Sequence, residues 1–316
     1  MTLVRIIKAW SFPDLARQTA GGSWTWEGVR FTVDPVEDSD YAVVLTYPKE
    51  PTVVRCSQGN CWLLLQEPPT EGFRAYHQGS RIYDRIFTQD ESLWGTQYMH
   101  SQPALPWHVN KDYEFLKRCG VPEKSRPLSW ITSNAKFLRG HRARMQLVER
   151  LQGKMEFDLF GKGIRYIEDK WDGLAPYRYA VAVENFCGPY YWTEKIADAL
   201  LSWTMPIYYG CTNIESYFPK EAMVRIDLHD PDVVEKIRDV VAGDRWKQNL
   251  DAIAEARRLI LDRYQLFPFL ADQIRGRESR EGAANGQRCK ELTVRRERYL
   301  WRRLKEKGLG ALGFGR

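Results

Sequence analysis

The stretch "ENFCGPYYWTEKIADALLSWTMPIYYG", residues 184–210, crowds polar and ionisable residues around what reads as the end of a buried strand and the start of a helix. Core packing alone does not call for Glu184-Asn185 at a strand exit, nor for Thr193-Glu194-Lys195 opening a helix. The first turn of a helix carries unpaired backbone N–H groups and the positive end of the dipole, which makes an anion site. Lys195 adds a full charge there. Arg144, from the preceding unit, offers a planar fork suited to phosphate oxygens. Glu194 is placed to accept two ribose hydroxyls, and Tyr191 to cover a ring or bond a phosphate. These parts suit a nucleotide diphosphate. Plainer readings stand beside them: Thr193-Glu194 as an N-cap with a dipole-favourable carboxylate, Arg144 as a solvated charge, and Tyr190, Tyr191 and Trp192 as core.

The elements that must position these side chains alternate strand and helix. "LSWITSN" (128–134), "MEFDLFGKG" (155–163), "YRYAVAVEN" (177–185), "MPIYYG" (205–210) and "MVRID" (223–227) read as strands. "HRARMQLVERLQ" (141–152) reads as an amphipathic helix whose apolar face is Met145, Leu147, Val148 and Leu151. Helices are also predicted at 192–203, 232–241 and 247–264. Before the Gly- and Pro-containing break near "CGVPEKSRPL" (119–128), apolar runs at 3–10, 41–47, 61–66 and 83–89 read as buried strands, with stretches between them long enough for parallel crossovers. The pattern predicts an α/β protein of two Rossmann-like domains with a cleft between them: 1–124, 125–289 and a basic tail, 290–316. Open parallel sheets bind ligands outside the carboxyl ends of their strands, so polar clusters at strand exits are the candidates. Gln66-Glu67 in "CWLLLQEPP" and Ser133-Asn134 are two more, Glu67 being held extended by Pro68 or serving only as a loop residue.

Composition bounds the rest. A hydrophobic content of 43% with 28% charged residues is globular. No apolar run reaches the roughly 18 residues of a membrane span, and "MTLVRIIKAW" is a poor secretory signal, so a cytoplasmic protein is expected. Six scattered cysteines form no CxxC pair, which argues for reduced thiols rather than a zinc site or disulfides. No GxGxxG follows a strand, and neither a Walker A sequence nor HExxH occurs.

From Asp169-Lys170 through "YRYAVAVEN", "YWTEKIADAL" and "MPIYYGCTNIESYFPKEAMVRID", residues 129–230 resemble the donor-binding half of the α1,3/4-fucosyltransferases, glycosyltransferase family 10. "SNAKFLRGHRARMQLVERL" and "QEPP" resemble the family less closely. Phe186 stands where many members have Ser, and "CGPY" fills a variable loop. The resemblance implies a GT-B fold with an N-terminal acceptor domain and a C-terminal domain for GDP-fucose, and transfer to a glycan hydroxyl with inversion at the anomeric carbon. Carried over residue by residue, Asn185, Tyr191, Glu194 and Lys195 contact the donor, Arg144 binds its diphosphate and Glu67 is the base. Lys195, Arg144 and the helix N-terminus stand in for a metal, so no cofactor is obligatory and a divalent ion is at most stimulatory. A different nucleotide sugar is the alternative donor, and a non-catalytic binding module is a distant second class.

The net charge of +6 sits in the tail, since residues 290–316 carry nine Lys or Arg against three Glu. Leu292, Arg295, Arg296, Tyr299, Leu300, Arg303 and Leu304 have near-helical spacing, and with Trp301 they read either as a helix lying peripherally on an anionic membrane surface or as one docked on the protein. Charge confined to the tail, with no recognised motif, argues against nucleic-acid binding.

Overall fold

The computed structural model describes residues 1–70, 73–78, 81–135, 139–281 and 289–296. The chain forms two compact α/β units. The first takes Met1–Trp10 and Val29–Ser101, together with residues 289–296 of the C-terminal segment; the second takes Ser11–Gly28 and Gln102–Glu281.

In the first unit, strands Val29–Thr32, Thr2–Ile7, Tyr41–Leu45, Cys61–Leu64, Arg85–Thr88 and Tyr98–His100 lie side by side in that order. Every pairing among them is parallel. Tyr41–Leu45 and Cys61–Leu64 are buried along their whole lengths, which is why they read as unbroken apolar runs rather than as alternating ones. Trp62 anchors this core edge-on between Tyr41, at 4.9 Å, and Phe87, at 5.5 Å. All carboxyl ends of a parallel sheet share one edge, so Trp10, Tyr47, Glu67 and Asp90 follow their strands onto the same side.

In the second unit the order is Asp158–Phe160, Arg126–Ile131, Tyr177–Gly188, Met205–Cys211 and Val224–Arg225, again parallel throughout. Helix Arg139–Leu151 buries one face, through Leu147, Val148 and Leu151, and Glu194–Leu201 is buried on all sides from Ile196 onward, in a core shared with Trp130, Val181 and Ile207.

The expected parallel α/β architecture is present, but the chain divides differently from 1–124, 125–289 and 290–316. Residues 11–28 and 102–124 pack with the second unit. The start of the basic tail is not helical: Cys289–Val294 is a strand, antiparallel to Thr52–Ser57 in the first unit. Its inward positions explain this. Lys290 reaches both carboxylate oxygens of Asp84, at 2.7 and 2.9 Å, and Val294 is buried with Val54 and Cys56. Alternation with period two thus overrides the helical spacing of Leu292 and Arg295. Tyr299, Leu300, Trp301, Arg303 and Leu304 lie outside the described residues. The helix expected over 247–264 is Arg245–Gln248 and Leu250–Leu259 followed by a π-helical turn, Ile260–Tyr264; an extended Gln265 then redirects the chain into helix Leu266–Glu281. Among the described residues no helix is long and apolar enough to cross a membrane.

Candidate donor site

The middle strand of the second sheet runs to Gly188, past the expected end at 185, but its register with Met205–Cys211 breaks after Val183; there Glu184 and Asn185 follow in sequence, and each holds a different helix. The Glu184 carboxylate is fully buried. Its Oε1 accepts the Thr193 N–H at 2.8 Å and its Oε2 the Thr193 hydroxyl at 2.7 Å. Thr193 is the N-cap of Glu194–Leu201, and its hydroxyl oxygen accepts the Lys195 N–H at 3.3 Å. Asn185 Oδ1 accepts Arg144 Nη1 at 2.8 Å. Arg144 Nη2 reaches the Ser133 hydroxyl at 3.2 Å, so the guanidinium ties two adjacent strand ends together. Arg144 is only 4% exposed, and its Nε–H finds no acceptor among the described residues. A solvated charge is therefore not what this residue is. Burial pulls its pKa below the ordinary arginine value, against Glu184 and Glu194, which raise it.

Two close approaches fix this geometry. A Cβ at Gly140, in the first turn of the Arg139–Leu151 helix, would lie 2.0 Å from the Asn185 carbonyl oxygen. A Cβ at Gly210, whose φ is +155°, would lie 2.4 Å from Glu184 Cγ. Glycine lets the helix start and the neighbouring strand press against the Glu-Asn exit from either side.

Lys195 does stand at the helix start, but it is not an isolated charge. Nζ lies 3.1 Å from Thr193 Oγ1 and 3.4 Å from both Glu184 Oε2 and Glu194 Oε1. Burial lowers the Lys195 pKa, yet Glu194 and Glu184 outweigh it and hold the ammonium above its usual value. Burial raises the Glu184 carboxyl, opposed by Lys195. Glu194, despite a burial effect that raises it, is held well below the usual carboxylate range by Lys195, Lys170 and His108.

Lys170 and Asp198 complete the cluster, and neither follows from spacing alone. Lys170 Nζ lies 2.8 Å from Asp198 Oδ2 and 3.9 Å from Glu194 Oε1. Asp198, four residues after Glu194 on the same helix face, also accepts the His108 N–H at 2.7 Å. His141 is buried one turn before Arg144. Three carboxylates thus face Lys170, Lys195 and Arg144, a balanced constellation rather than a bare cationic one. The structure places Arg144 against Asn185, and Lys195 against Glu194 and Glu184. The Tyr191 ring is 3% exposed and packs edge-on against Phe186 at 5.8 Å.

Glu67 belongs to the first unit, just past strand Cys61–Leu64. Its backbone carbonyl accepts His77 Nε2 at 2.8 Å, and His77 Nδ1 lies 2.7 Å from Thr88 Oγ1. His77 is fully buried, which lowers its pKa to about 4. The ring is therefore neutral near pH 7, and the carbonyl fixes its tautomer: Nε2–H donates to Glu67 and Nδ1 accepts the Thr88 hydroxyl. Among the described residues no group of three or more His, Cys, Asp or Glu is gathered in a way that could hold a metal ion.

The chain thus holds two parallel α/β units, with an ionic cluster at the strand ends of the second. Residues 121–241 match the family model "Glycosyltransferase family 10 (fucosyltransferase) C-term", and over that segment the chain is fucosyltransferase-like. Among solved structures, an α1,3-fucosyltransferase is similar at 17% identity, over 84% of this chain and 81% of that one, with a TM-score of 0.47. An α1,3-fucosyltransferase with GDP-fucose is similar at 15% identity, over 84% and 92%, with a TM-score of 0.49. TarM is similar at 12% identity, over 75% and 55%, with a TM-score of 0.49. No curated protein sequence matches the chain.

Proposed function

We propose that this glycosyltransferase moves fucose from GDP-fucose to a hydroxyl of a glycan acceptor, in one displacement that inverts the anomeric carbon. The observation that carries the reading is Arg144: a buried guanidinium, pinned between Ser133 and Asn185 at the carboxyl edge of the sheet, whose Nε–H has no acceptor among the described residues. A buried cation with a spare donor costs free energy that an anionic ligand recovers. The first turn of Glu194–Leu201 supplies further N–H groups beside it, and Lys195 supplies a second cation.

The chemistry asks for little else. The bond from the anomeric carbon to the diphosphate oxygen breaks, and the negative charge that develops on the GDP is met by Arg144, Lys195 and the helix N-terminus, an electrostatic role. To receive phosphate, Lys195 exchanges part of its contact with Glu184 and Glu194 for the ligand. The acceptor oxygen attacks from the opposite face while its proton passes to a carboxylate, for which Glu67 is our assignment. The first unit is then the acceptor domain and the second the donor domain. With these cations in place, transfer is expected to continue in EDTA. Fucose as the sugar rests on the family of the matched segment.

A thermal-shift panel of GDP-fucose, UDP-, ADP- and CMP-sugars tests the donor. Stabilisation by GDP-fucose and not by the others is the expected result, and a preference for another nucleotide sugar overturns it. Proton NMR of the first product formed from the β-configured donor tests the stereochemistry. An α-fucoside is expected; a β-fucoside would rule out single displacement.

A further inference from the structure

Trp62, Trp107, Trp130 and Trp192 are fully buried, but Trp94 is 80% exposed. An exposed indole offers a flat apolar face with an N–H at its edge, the shape and chemistry on which a ligand ring can stack. The loop beneath it is firmly built. Asp90 accepts the Ser92 N–H at 3.1 Å and the Ser92 hydroxyl at 2.6 Å. Arg74 bridges the same pair, with Nε 3.2 Å from Asp90 Oδ2 and Nη2 3.0 Å from Ser92 Oγ. His100 packs edge-on against the indole at 5.9 Å and 80°. The ring therefore stands on a fixed base with much of its surface open to solvent.

Its position ties it to Glu67. Trp94 follows strand Arg85–Thr88, which pairs in parallel with Cys61–Leu64, the strand that leads into Glu67. Adjacent strands lie about 4.8 Å apart, so both loops leave the same edge as neighbours. His77 locks the two exits together through Thr88 on one side and the Glu67 carbonyl on the other. Tyr47, which follows the next strand along, has the Arg296 guanidinium over its ring at 4.3 Å, whereas no cation lies over the Trp94 ring among the described residues. Beside Trp94, Arg74 and Asp90 are paired with each other, and Glu91 adds an exposed carboxylate. That favours a neutral ligand over an anionic one. A flat ring among hydrogen-bonding groups suits the C–H face of a pyranose.

We propose that Trp94 is the stacking residue of the acceptor site, holding a sugar ring of a neutral oligosaccharide whose reacting hydroxyl is offered to Glu67. This rests on the glycosyltransferase reading above. The test is a printed array of neutral oligosaccharides probed with labelled wild-type protein, Trp94→Ala, Trp94→Phe and Lys195→Ala. Circular dichroism and the GDP thermal shift establish that the Trp94 variants are folded. Wild type and Lys195→Ala are expected to bind the same glycans. Trp94→Ala should lose about tenfold or more in affinity, with Trp94→Phe between them. Undiminished binding by Trp94→Ala, or no binding by wild type, overturns the proposal. On the best-bound glycan, Trp94→Ala should raise the acceptor KM while kcat and the donor KM hold, and an unchanged acceptor KM overturns it as well. If GDP-fucose is not the donor but array binding still depends on Trp94, the donor reading fails and the acceptor site stands.

Discussion

Glu184 caps a helix that it does not belong to: both carboxylate oxygens are bonded to Thr193, at 2.8 and 2.7 Å, and one also faces Lys195 Nζ at 3.4 Å. Strand end, N-cap and site lysine are thus one buried unit. Glu184→Ala leaves the Thr193 N–H and the Lys195 ammonium without their partner, a change expected to cost about 3–5 kcal/mol. Glu184→Gln keeps one acceptor but turns an amide N–H₂ toward Lys195 or Thr193, and should cost about 1–3 kcal/mol. Urea unfolding followed by tryptophan fluorescence measures both. Equal midpoints for wild type and Glu184→Ala would show that the carboxylate contributes nothing.

Arg144 reaches Asn185 and Ser133 together only because its guanidinium is forked. Arg144→Lys keeps the charge, offers one ammonium in place of the fork and cannot span both strand ends. GDP affinity is expected to fall about 10- to 100-fold, corresponding to roughly 1.5–3 kcal/mol. Lys195→Ala should weaken GDP further, because it also leaves Glu184 and Glu194 facing the diphosphate uncompensated. Isothermal calorimetry with GDP decides both, and unchanged affinity in Lys195→Ala would remove that side chain from the diphosphate site.

Much of this region is legible from residue order because its forces are local. Apolar runs bounded by polar exits mark the strands from 128 to 211, Thr193 marks a helix start, and Arg144 falls on the buried face set by Leu147, Val148 and Leu151. What is not legible depends on partners distant in the chain. Glu184 stands out by type, but its bonds to Thr193 and Lys195 appear only when strand and helix are packed. Lys170 meets Asp198 across 28 residues, and no spacing rule links them. Residues 290–294 read as the start of a basic tail because the Arg-rich stretch that follows sets the charge of 290–316, whereas Lys290, Leu292 and Val294 are selected by a strand at Thr52–Ser57. His77, alone in a short helix, gives no local sign that it joins two strand exits.

Glu67 is half-buried, and the His77 bond goes to its backbone carbonyl rather than to its carboxylate. Glu67→Gln therefore changes the proposed proton acceptor while keeping the bond that shapes the loop. Expected is a fall in kcat of about two to four orders of magnitude, the usual range for general acid–base catalysis, with GDP affinity near wild type. Steady-state kinetics of GDP release measure it. Normal turnover by the variant would mean that another group takes the proton.

His77 also gives the protein a defined acid limit. Its folded pKa, about 4, lies below the usual 6.5, because burial disfavours the imidazolium. Above about pH 6.5 the ring is neutral in both the folded and the unfolded chain, and its contribution to stability is fully present. As pH falls from 6.5 to 4 the unfolded chain binds a proton that the folded chain does not. Stability then drops by about 1.4 kcal/mol per pH unit, or roughly 3 kcal/mol across the window. Protonation of Nδ1 also removes the acceptor of the Thr88 hydroxyl. His77→Gln keeps a donor for the Glu67 carbonyl and has no proton to gain, so its unfolding midpoint should fall less steeply over that interval. Parallel midpoint–pH curves for wild type and His77→Gln between pH 4 and 6.5 would show that His77 is not the group responsible.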